Sequence, residues 1–266
     1  MRPRIWPVFV AYLVAVMTII LSSLVALGVL QAAYPDVPPA DLFGSATGLI
    51  AGALASATAL VLTVMLVSQP LQAKTLGLLP GREQGLDLAA AVVATLALGQ
   101  ALDSVTILAG REGAMRDIRR ALAGAEGAEL FAAVLVLGVA AAAAEELFFR
   151  GYMQTRLRAA WPPGAAIVAT SAAFGLLHMD WVHAAMAFVL GLYFGALTER
   201  TGSALPAIVC HVVNNSVFTV VTALGGTIEG RRPNLWLLVL SLVVCASCIG
   251  LLARRLPRAV PAAPDC

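Results

Sequence analysis

The chain has 266 residues, of which 60% are hydrophobic and only 12% are charged, and its mean hydropathy is +0.90. Soluble domains carry about 25% charged residues, so this composition excludes an ordinary cytosolic or secreted domain. The apolar content also excludes low-complexity disorder and collagen-like repeats. The net charge of +2 gives no support for nucleic-acid binding, and no nucleic-acid partner is expected. The composition therefore predicts an integral protein of the lipid bilayer.

The apolar segments predict an all-α polytopic membrane protein with about eight transmembrane helices, since a helix of about 20 residues crosses about 30 Å of hydrocarbon. The first segment is longer than the apolar core of a signal peptide, about 7–15 residues, and predicts a retained span. The fourth ends at the turn Trp161–Gly164, because its two prolines cannot continue a helix. The segments cover approximately residues 5–33, 43–67, 86–108, 128–160, 163–178, 182–197, 204–224 and 234–252.

An arginine-rich segment, residues 111–126, lies between the third and fourth spans. It places Met115, Ile118 and Leu122 at helical spacing among four arginines. This pattern predicts one amphipathic helix at the membrane interface, and a solvated loop helix is the alternative.

Basic residues in the short loops favour an orientation with both termini in the cytoplasm. Six of them lie on the predicted outer side, namely Arg111, Arg116, Arg119, Arg120, Arg231 and Arg232. Ten lie on the predicted inner side, namely Arg2, Arg4, Lys74, Arg82, Arg156, Arg158, Arg200, Arg254, Arg255 and Arg258.

Four polar residues lie in three of the predicted spans, where an ionisable group costs about 2.5–3.5 kcal/mol on insertion scales. Glu145 lies 16 residues before Trp161, and His178 lies 15 residues after Pro163. At about 1.5 Å per residue, both are about 23 Å from the same turn, on antiparallel helices. His211 and Asn215 are four residues apart and share one helix face. We therefore expect the four side chains to meet in one pocket.

Two chemistries fit this set of side chains. Glu145 could act as a general base on a water that attacks a carbonyl group, with imidazole and amide groups stabilising the oxyanion. Alternatively, Glu145, His178 and His211 could bind a zinc ion with an open water position. The sequence contains neither HExxH, the zinc-protease motif, nor GxSxG, the nucleophile elbow. The residues alone leave the choice between a glutamate and a zinc mechanism open.

Other polar residues near this set have structural explanations. Glu146 and Arg150 are four apart, which predicts an ion pair on one helix face. Asn214 points about 100° away from Asn215, which favours a role as a helix-packing amide. His183 is interpreted as an interface residue in a loop. Interfacial water is expected to solvate Asp87 and Asp103, near the two ends of the third span.

Three motifs occur in order along the chain: EExxxR from Glu145 to Arg150, FxxxH from Phe174 to His178, and HxxxN from His211 to Asn215. In this order the sequence resembles the CPBP family of intramembrane proteases, also called the CAAX protease and bacteriocin-processing (Abi) family. The motifs cover about 70 residues, and the N-terminal half is similar only as a set of membrane spans. The resemblance implies an eight-helix fold whose cavity opens toward the cytosol in the eukaryotic endopeptidases.

The resemblance also implies roles for these residues. Glu145 would activate a water with the help of His178, while His211 and Asn215 would form the oxyanion hole. The supporting motif residues are Glu146, Arg150 and Phe174, the last of which is expected to pack the fifth helix. The family is often classed as metalloproteases, but the glutamate mechanism requires no cofactor, and zinc remains the alternative.

The expected function is endopeptidase cleavage of a membrane-associated peptide or protein. A non-catalytic bacteriocin self-immunity or scaffold protein is the alternative. The compact, Ala- and Arg-rich chain predicts a bacterial inner-membrane protein, for which prenylated CAAX proteins are not the expected substrates. We divide the chain into N-terminal helices and the interfacial segment (1–127), a protease core (128–224), and a final helix with a basic tail (225–266).

Overall fold

The computed structural model describes residues 4–226, 228 and 230–256, and every regular element in these ranges is a helix. Arg2, which entered the predicted orientation, lies outside the described residues. So does the end of the predicted basic tail, 257–266, with Arg258. The expectation of an all-α polytopic membrane protein is confirmed, because several of the helices are long and apolar enough to cross a bilayer.

The described residues contain seven such helices and one shorter apolar helix, against about eight predicted spans. The shorter helix is α7, whose 14 residues reach only about 21 Å. In chain order the helices are α1 Trp6–Ala33, α2 Pro39–Phe43, α3 Ala46–Val67, α4 Gly85–Leu108, α5 Ala114–Leu122, α6 Gly127–Arg158, α7 Pro163–Leu176, α8 Trp181–Thr201, α9 Leu205–Ala223 and α10 Arg231–Arg255.

Helix α6 is not a uniform α-helix. Two π-helical stretches, Val134–Ala141 and Leu147–Gln154, flank the short α-helical stretch Ala142–Glu146. Such wide turns are rare and are found frequently at functional sites. They rotate the side chains on either side relative to a regular helix, so the uniform rise assumed from the sequence does not hold along α6.

The second π-helical stretch lies in the largest hydrophobic core. Phe148 and Phe149 are fully buried there and pack edge to face on each other, and Phe149 also packs on Phe174 of α7. Helix α1 joins this core, since Tyr12 donates a hydrogen bond from its hydroxyl to the Ala173 carbonyl over 2.9 Å. The core thus holds α1, α6 and α7 together.

Two acidic residues of α4 form ties between helices. Asp87 is only 3% exposed and pairs with Arg255 of α10, and Asp103 pairs with Arg119 of α5 at 2.7 Å. The expectation of interfacial solvation is therefore wrong for Asp87, whereas the Asp103 side chain remains 21% exposed. Arg255 lies 168 residues from Asp87, so no local sequence pattern indicates their pairing.

The arginine-rich segment contains the predicted amphipathic helix, α5. Met115, Arg119 and Leu122 are buried on its inner face, and it packs across the ends of α3, α8 and α9. The Gly124 N–H donates to the Ala223 carbonyl at the end of α9 over 3.1 Å. Helix α5 therefore covers one end of the bundle, while its place at a membrane interface stays a prediction.

Candidate functional site

A cavity of about 390 Å³ lies within the bundle, between α3, α4, α5, α6, α8 and α9. We call it the central cavity. The structure brings all four predicted residues into its wall: Glu145, His178, His211 and Asn215. Phe174 lines it as well. Four polar side chains from three parts of the sequence thus face one enclosed space among apolar helices.

Glu145 lies in the short α-helical stretch between the two π-helical stretches of α6. Its Oε2 atom is 3.7 Å from Nε2 of His211, and 16% of its side chain is exposed. At this separation the two groups face each other without a direct hydrogen bond. A carboxylate in this position is accessible from the cavity and close to a second titratable group.

His211 is held on several sides. Its Nδ1 atom lies 2.9 Å from Oε1 of Glu146. Its ring stacks on Phe194, with centroids 5.1 Å apart, and meets the edge of Phe174. An ionised carboxylate only accepts hydrogen bonds, so we assign the hydrogen to Nδ1. Nε2 is then the atom directed toward Glu145.

The predicted ion pair between Glu146 and Arg150 is present, with 3.0 Å between Nη1 and Oε1, and both side chains are fully buried. Arg150 also donates from Nη2 to the Gly191 carbonyl over 2.9 Å. Because Oε1 of Glu146 binds both Arg150 and His211, this pair orients an imidazole on α9. Sequence reasoning missed this second role, since the contact joins residues 65 positions apart.

His178 lies in the turn between α7 and α8, beyond the last residue of α7. Its backbone N–H donates to Gly175 rather than to Phe174, which leaves the Phe174 carbonyl free. The Nδ1 atom of His178 lies 2.9 Å from that carbonyl oxygen. A carbonyl only accepts, so Nδ1 is the donor and Nε2 remains an acceptor in the neutral ring.

The two asparagines of α9 act together. Asn214 donates to Oδ1 of Asn215 over 3.3 Å, and Nδ2 of Asn215 contacts the Leu137 carbonyl at 3.5 Å. The Leu137 carbonyl belongs to the first π-helical stretch of α6. Asn214 also packs on α4, where a methyl group on Gly99 would lie 2.6 Å from its Oδ1. It therefore packs helices, as expected, and also orients Asn215.

Residues 127–217 match the family model described as Rce1-like, type II CAAX prenyl endopeptidase. This segment is Rce1-like. It covers about a third of the chain, contains all three motifs, and confirms the resemblance to the CPBP and CAAX protease family. The match supports a CAAX-type protease, and the apolar helices make the protein an integral membrane protein. No curated protein and no solved structure matches the chain.

The Rce1-like segment holds a further histidine that sequence reasoning placed in a loop. His183 lies in the first turn of α8, lines the central cavity, and packs its ring 4.2 Å from that of His178. The expectation that His183 lies in a loop is therefore wrong. The sequence feature that could have predicted this is Asp180, a good N-cap residue, which places His183 in the first turn of the helix.

Outside the Rce1-like segment, α5 and α4 complete the wall of the central cavity. Arg119 pairs there with both Asp103 and Glu112. Burial raises the pKa of Glu112, but hydrogen bonds from Arg119 and Arg116 lower it more, so the net shift is downward. These pairs fix the inner face of α5 against the bundle.

The zinc alternative requires at least three side chains of the site to be arranged as metal ligands. In the described part of the chain, no three His, Cys, Asp or Glu side chains form a group that could hold one. Glu145, His178 and His211 share the cavity but not that arrangement. The described residues therefore fit the zinc alternative poorly.

Proposed function

We propose that the protein is an intramembrane endopeptidase that hydrolyses a peptide bond of a membrane-associated protein or peptide. The observation that carries this proposal is the meeting of Glu145, His178, His211 and Asn215 in one cavity enclosed by apolar helices. The Rce1-like match over residues 127–217 supports the same activity. Water and a peptide carbonyl group would meet in the central cavity.

Glu145 acts as the general base. It takes a proton from a water molecule that also donates to Nε2 of His178, and the water oxygen attacks the carbonyl carbon of the substrate. The bond from Nδ1 of His178 to the Phe174 carbonyl keeps Nε2 free to accept from that water. His178 thus orients the attacking lone pair, and Glu145 removes the proton.

His211 and Asn215 stabilise the oxyanion that forms on the carbonyl oxygen. Nδ1 of His211 already donates to Glu146, so Nε2 donates only when the ring carries two hydrogens. In that form the formal charges of Glu145, Glu146, Arg150 and His211 add to zero. Asn215 contributes an N–H of its Nδ2, whose orientation is set by Asn214 and by Leu137 of the π-helical stretch.

The tetrahedral intermediate then collapses. Glu145 returns its proton to the leaving nitrogen, the carbon–nitrogen bond breaks, and the products are a carboxylic acid and an amine. One water is consumed, and no other reactant is required.

Apolar side chains of Leu96, Met186, Leu190 and Phe218 line much of the rest of the central cavity. Their presence favours substrates with apolar residues beside the cleaved bond, because such residues lose no hydrogen bonds on entering. We propose a bacterial inner-membrane protein, as the compact, Ala- and Arg-rich chain suggests, with both termini in the cytoplasm, as the loop charges suggest.

The test is cleavage of an apolar reporter peptide by purified protein in proteoliposomes. We expect Glu145→Gln to lower kcat by about 10²–10⁴-fold, the contribution of a general base. The matched control is Glu129→Gln, an exposed glutamate on the same helix, which should leave kcat unchanged. Normal turnover by Glu145→Gln would contradict the general-base role of Glu145, whereas no cleavage by the wild-type protein would favour a protein that binds a membrane peptide without cleaving it.

The same preparation tests whether the protein binds zinc and requires it for activity. Elemental analysis is expected to find no stoichiometric zinc, and activity is expected to survive a chelator. Zinc at one equivalent, together with activity lost to the chelator and restored by zinc alone, would replace the metal-free mechanism with the zinc-dependent one.

A further inference from the structure

The turn that carries His178 gives its side chain little support of its own. Helix α7 ends at Leu176 and α8 begins at Trp181. Between them Met179 adopts φ +55, a left-handed conformation that non-glycine residues rarely take. The Asp180 N–H donates to the His178 carbonyl over 2.7 Å. The backbone holds the ring of His178 through the bond between Nδ1 and the Phe174 carbonyl, and its other ring contacts come from neighbouring side chains.

His183 supplies one of these neighbours. Its ring centroid lies 4.2 Å from that of His178, with 57° between the ring planes. Phe174 packs on His178 edge to face, with centroids 5.1 Å apart. The imidazole of His178 is thus held by an aromatic residue of α7 and a histidine of α8, while its Nδ1 is bound to the Phe174 carbonyl.

Asp180 fixes His183 in turn. Its carboxylate accepts the backbone N–H of His183 over 2.9 Å and caps α8. The same carboxylate lies against Gly113, the residue before the first residue of α5. Asp180 therefore caps α8 and contacts the start of α5 at the turn that carries His178.

We propose that His183 is a positioning residue, whose ring holds His178 with its Nε2 directed into the central cavity, and that Asp180 anchors His183 for this task. The inference rests on the proposed function, because it assigns His178 to the attacking water. His183 acts through ring contact, and its own nitrogens take no part in the reaction.

The experiment compares His183→Ala and His183→Phe in the proteoliposome assay. The alanine variant loses the ring, and we expect kcat to fall at least tenfold with KM changed by less than twofold, since a small misplacement of a catalytic group costs up to about 10²-fold. Phenylalanine restores a ring of similar size, and kcat is expected to return to within about threefold of the wild type. Thermal unfolding in detergent checks that both variants are folded.

A measurement without turnover separates this inference from the proposed function. The chain has three histidines, so ¹⁵N–¹H spectra of the His183 variants contain only two imidazoles. The slowly exchanging Nδ1–H of His178 is expected in the wild type and in His183→Phe, and its loss is expected in His183→Ala.

Two results would overturn the inference. One is unchanged kcat and an unchanged His178 resonance in folded His183→Ala. The other is a folded His183→Phe as inactive as the alanine variant, which would assign the reaction a His183 nitrogen. Full activity of Glu145→Gln would instead contradict the proposed function, and the His178 resonance would still decide whether His183 positions the ring.

Discussion

Nδ1 of His211 lies 2.9 Å from Oε1 of Glu146, and the same oxygen accepts the Arg150 guanidinium at 3.0 Å. Glu146 thus links an arginine on its own helix to an imidazole on α9. The second glutamate of the EExxxR motif is not a spare base beside Glu145. It sets which nitrogen of His211 faces the central cavity, so the motif joins the base to the proposed oxyanion hole.

Glu146→Gln should affect both the stability of the protein, through Arg150, and its activity, through His211. The substitution leaves Arg150 fully buried without a counterion, and removing one partner of a buried pair costs about 3–5 kcal/mol. It also weakens the acceptor that orients His211. We expect a lower unfolding temperature in detergent and at least a tenfold fall in kcat.

The matched control is the double variant Glu146→Gln/Arg150→Met, in which no buried charge is left unpaired. Replacing both members of a buried pair by neutral groups is often neutral for stability, so the unfolding temperature should recover. Activity should stay low, because His211 still lacks its carboxylate. Recovery of activity together with stability would show that Glu146 acts only through Arg150.

Gly138 tests the contact between the first π-helical stretch and α9. A methyl group there would lie 2.5 Å from Oγ and 3.0 Å from Cα of Ser216, so Gly138→Ala must push α9 away from α6. Asn215 would then lose its contact with the Leu137 carbonyl. We expect kcat/KM to fall at least tenfold in the peptide assay.

Gly28→Ala is the control for this prediction, because Gly28 lies in α1 and has no atom within 4 Å of an added methyl group. It should leave kcat/KM unchanged and the unfolding temperature equal or slightly higher, since alanine favours a helix over glycine. Equal activity of both variants would mean that the close approach at Gly138 does not position Asn215.

The motif residues could be found from the sequence because each stands out as a polar residue in an apolar span. Glu145, His178, His211 and Asn215 were expected to share a pocket, and they do. What could not be predicted depends on backbone geometry. The π-helical stretches of α6 leave no pattern in side-chain periodicity, and α7 ends at Leu176, two residues before the predicted end of its apolar segment.

Contacts remote in sequence were also missed. The sequence does not show which helices pack against each other. It therefore could not predict the bond between Glu146 and His211 or the pair between Asp87 and Arg255. His183 was assigned to a loop, and Asp180 was not considered as an N-cap. As an N-cap, Asp180 begins α8 early enough to bring His183 into the central cavity.

Membrane orientation decides which compartment the α5 end of the central cavity faces. The ends of α1 and α10 that lead to the chain termini lie on the side opposite to α5, by the order of the spans. With cytoplasmic termini, α5 faces outward, whereas the family resemblance implies an opening toward the cytosol. The loop charges favour the first arrangement.

We therefore expect a C-terminal fluorescent reporter to be active and a periplasmic enzyme reporter at the same position to be inactive. In a cysteine-free background, Arg120→Cys should react with a membrane-impermeant maleimide from outside, because Arg120 is exposed on α5. Lys74→Cys, in the loop after α3, should react only after lysis. The reverse pattern at all three positions would place the α5 end in the cytosol.

Acid should loosen α5 from the bundle. The pKa of Glu112 is lowered by its arginine partners against the opposing effect of burial, so its contribution to stability is present above the pKa of the unfolded chain. It is lost as the pH falls through the lower folded value, and hydrogen exchange over Ala114–Leu122 should quicken there. Glu112→Gln should quicken exchange over α5 already at neutral pH and make the exchange rate depend less on pH. The pH dependence that remains is due to Asp180, whose pKa is lowered by backbone N–H groups. The control is Asp117→Asn, in an exposed pair with Arg120, which should exchange as the wild type does. If both variants lose the acceleration of exchange at low pH equally, Glu112 is not the group that holds α5 to the bundle.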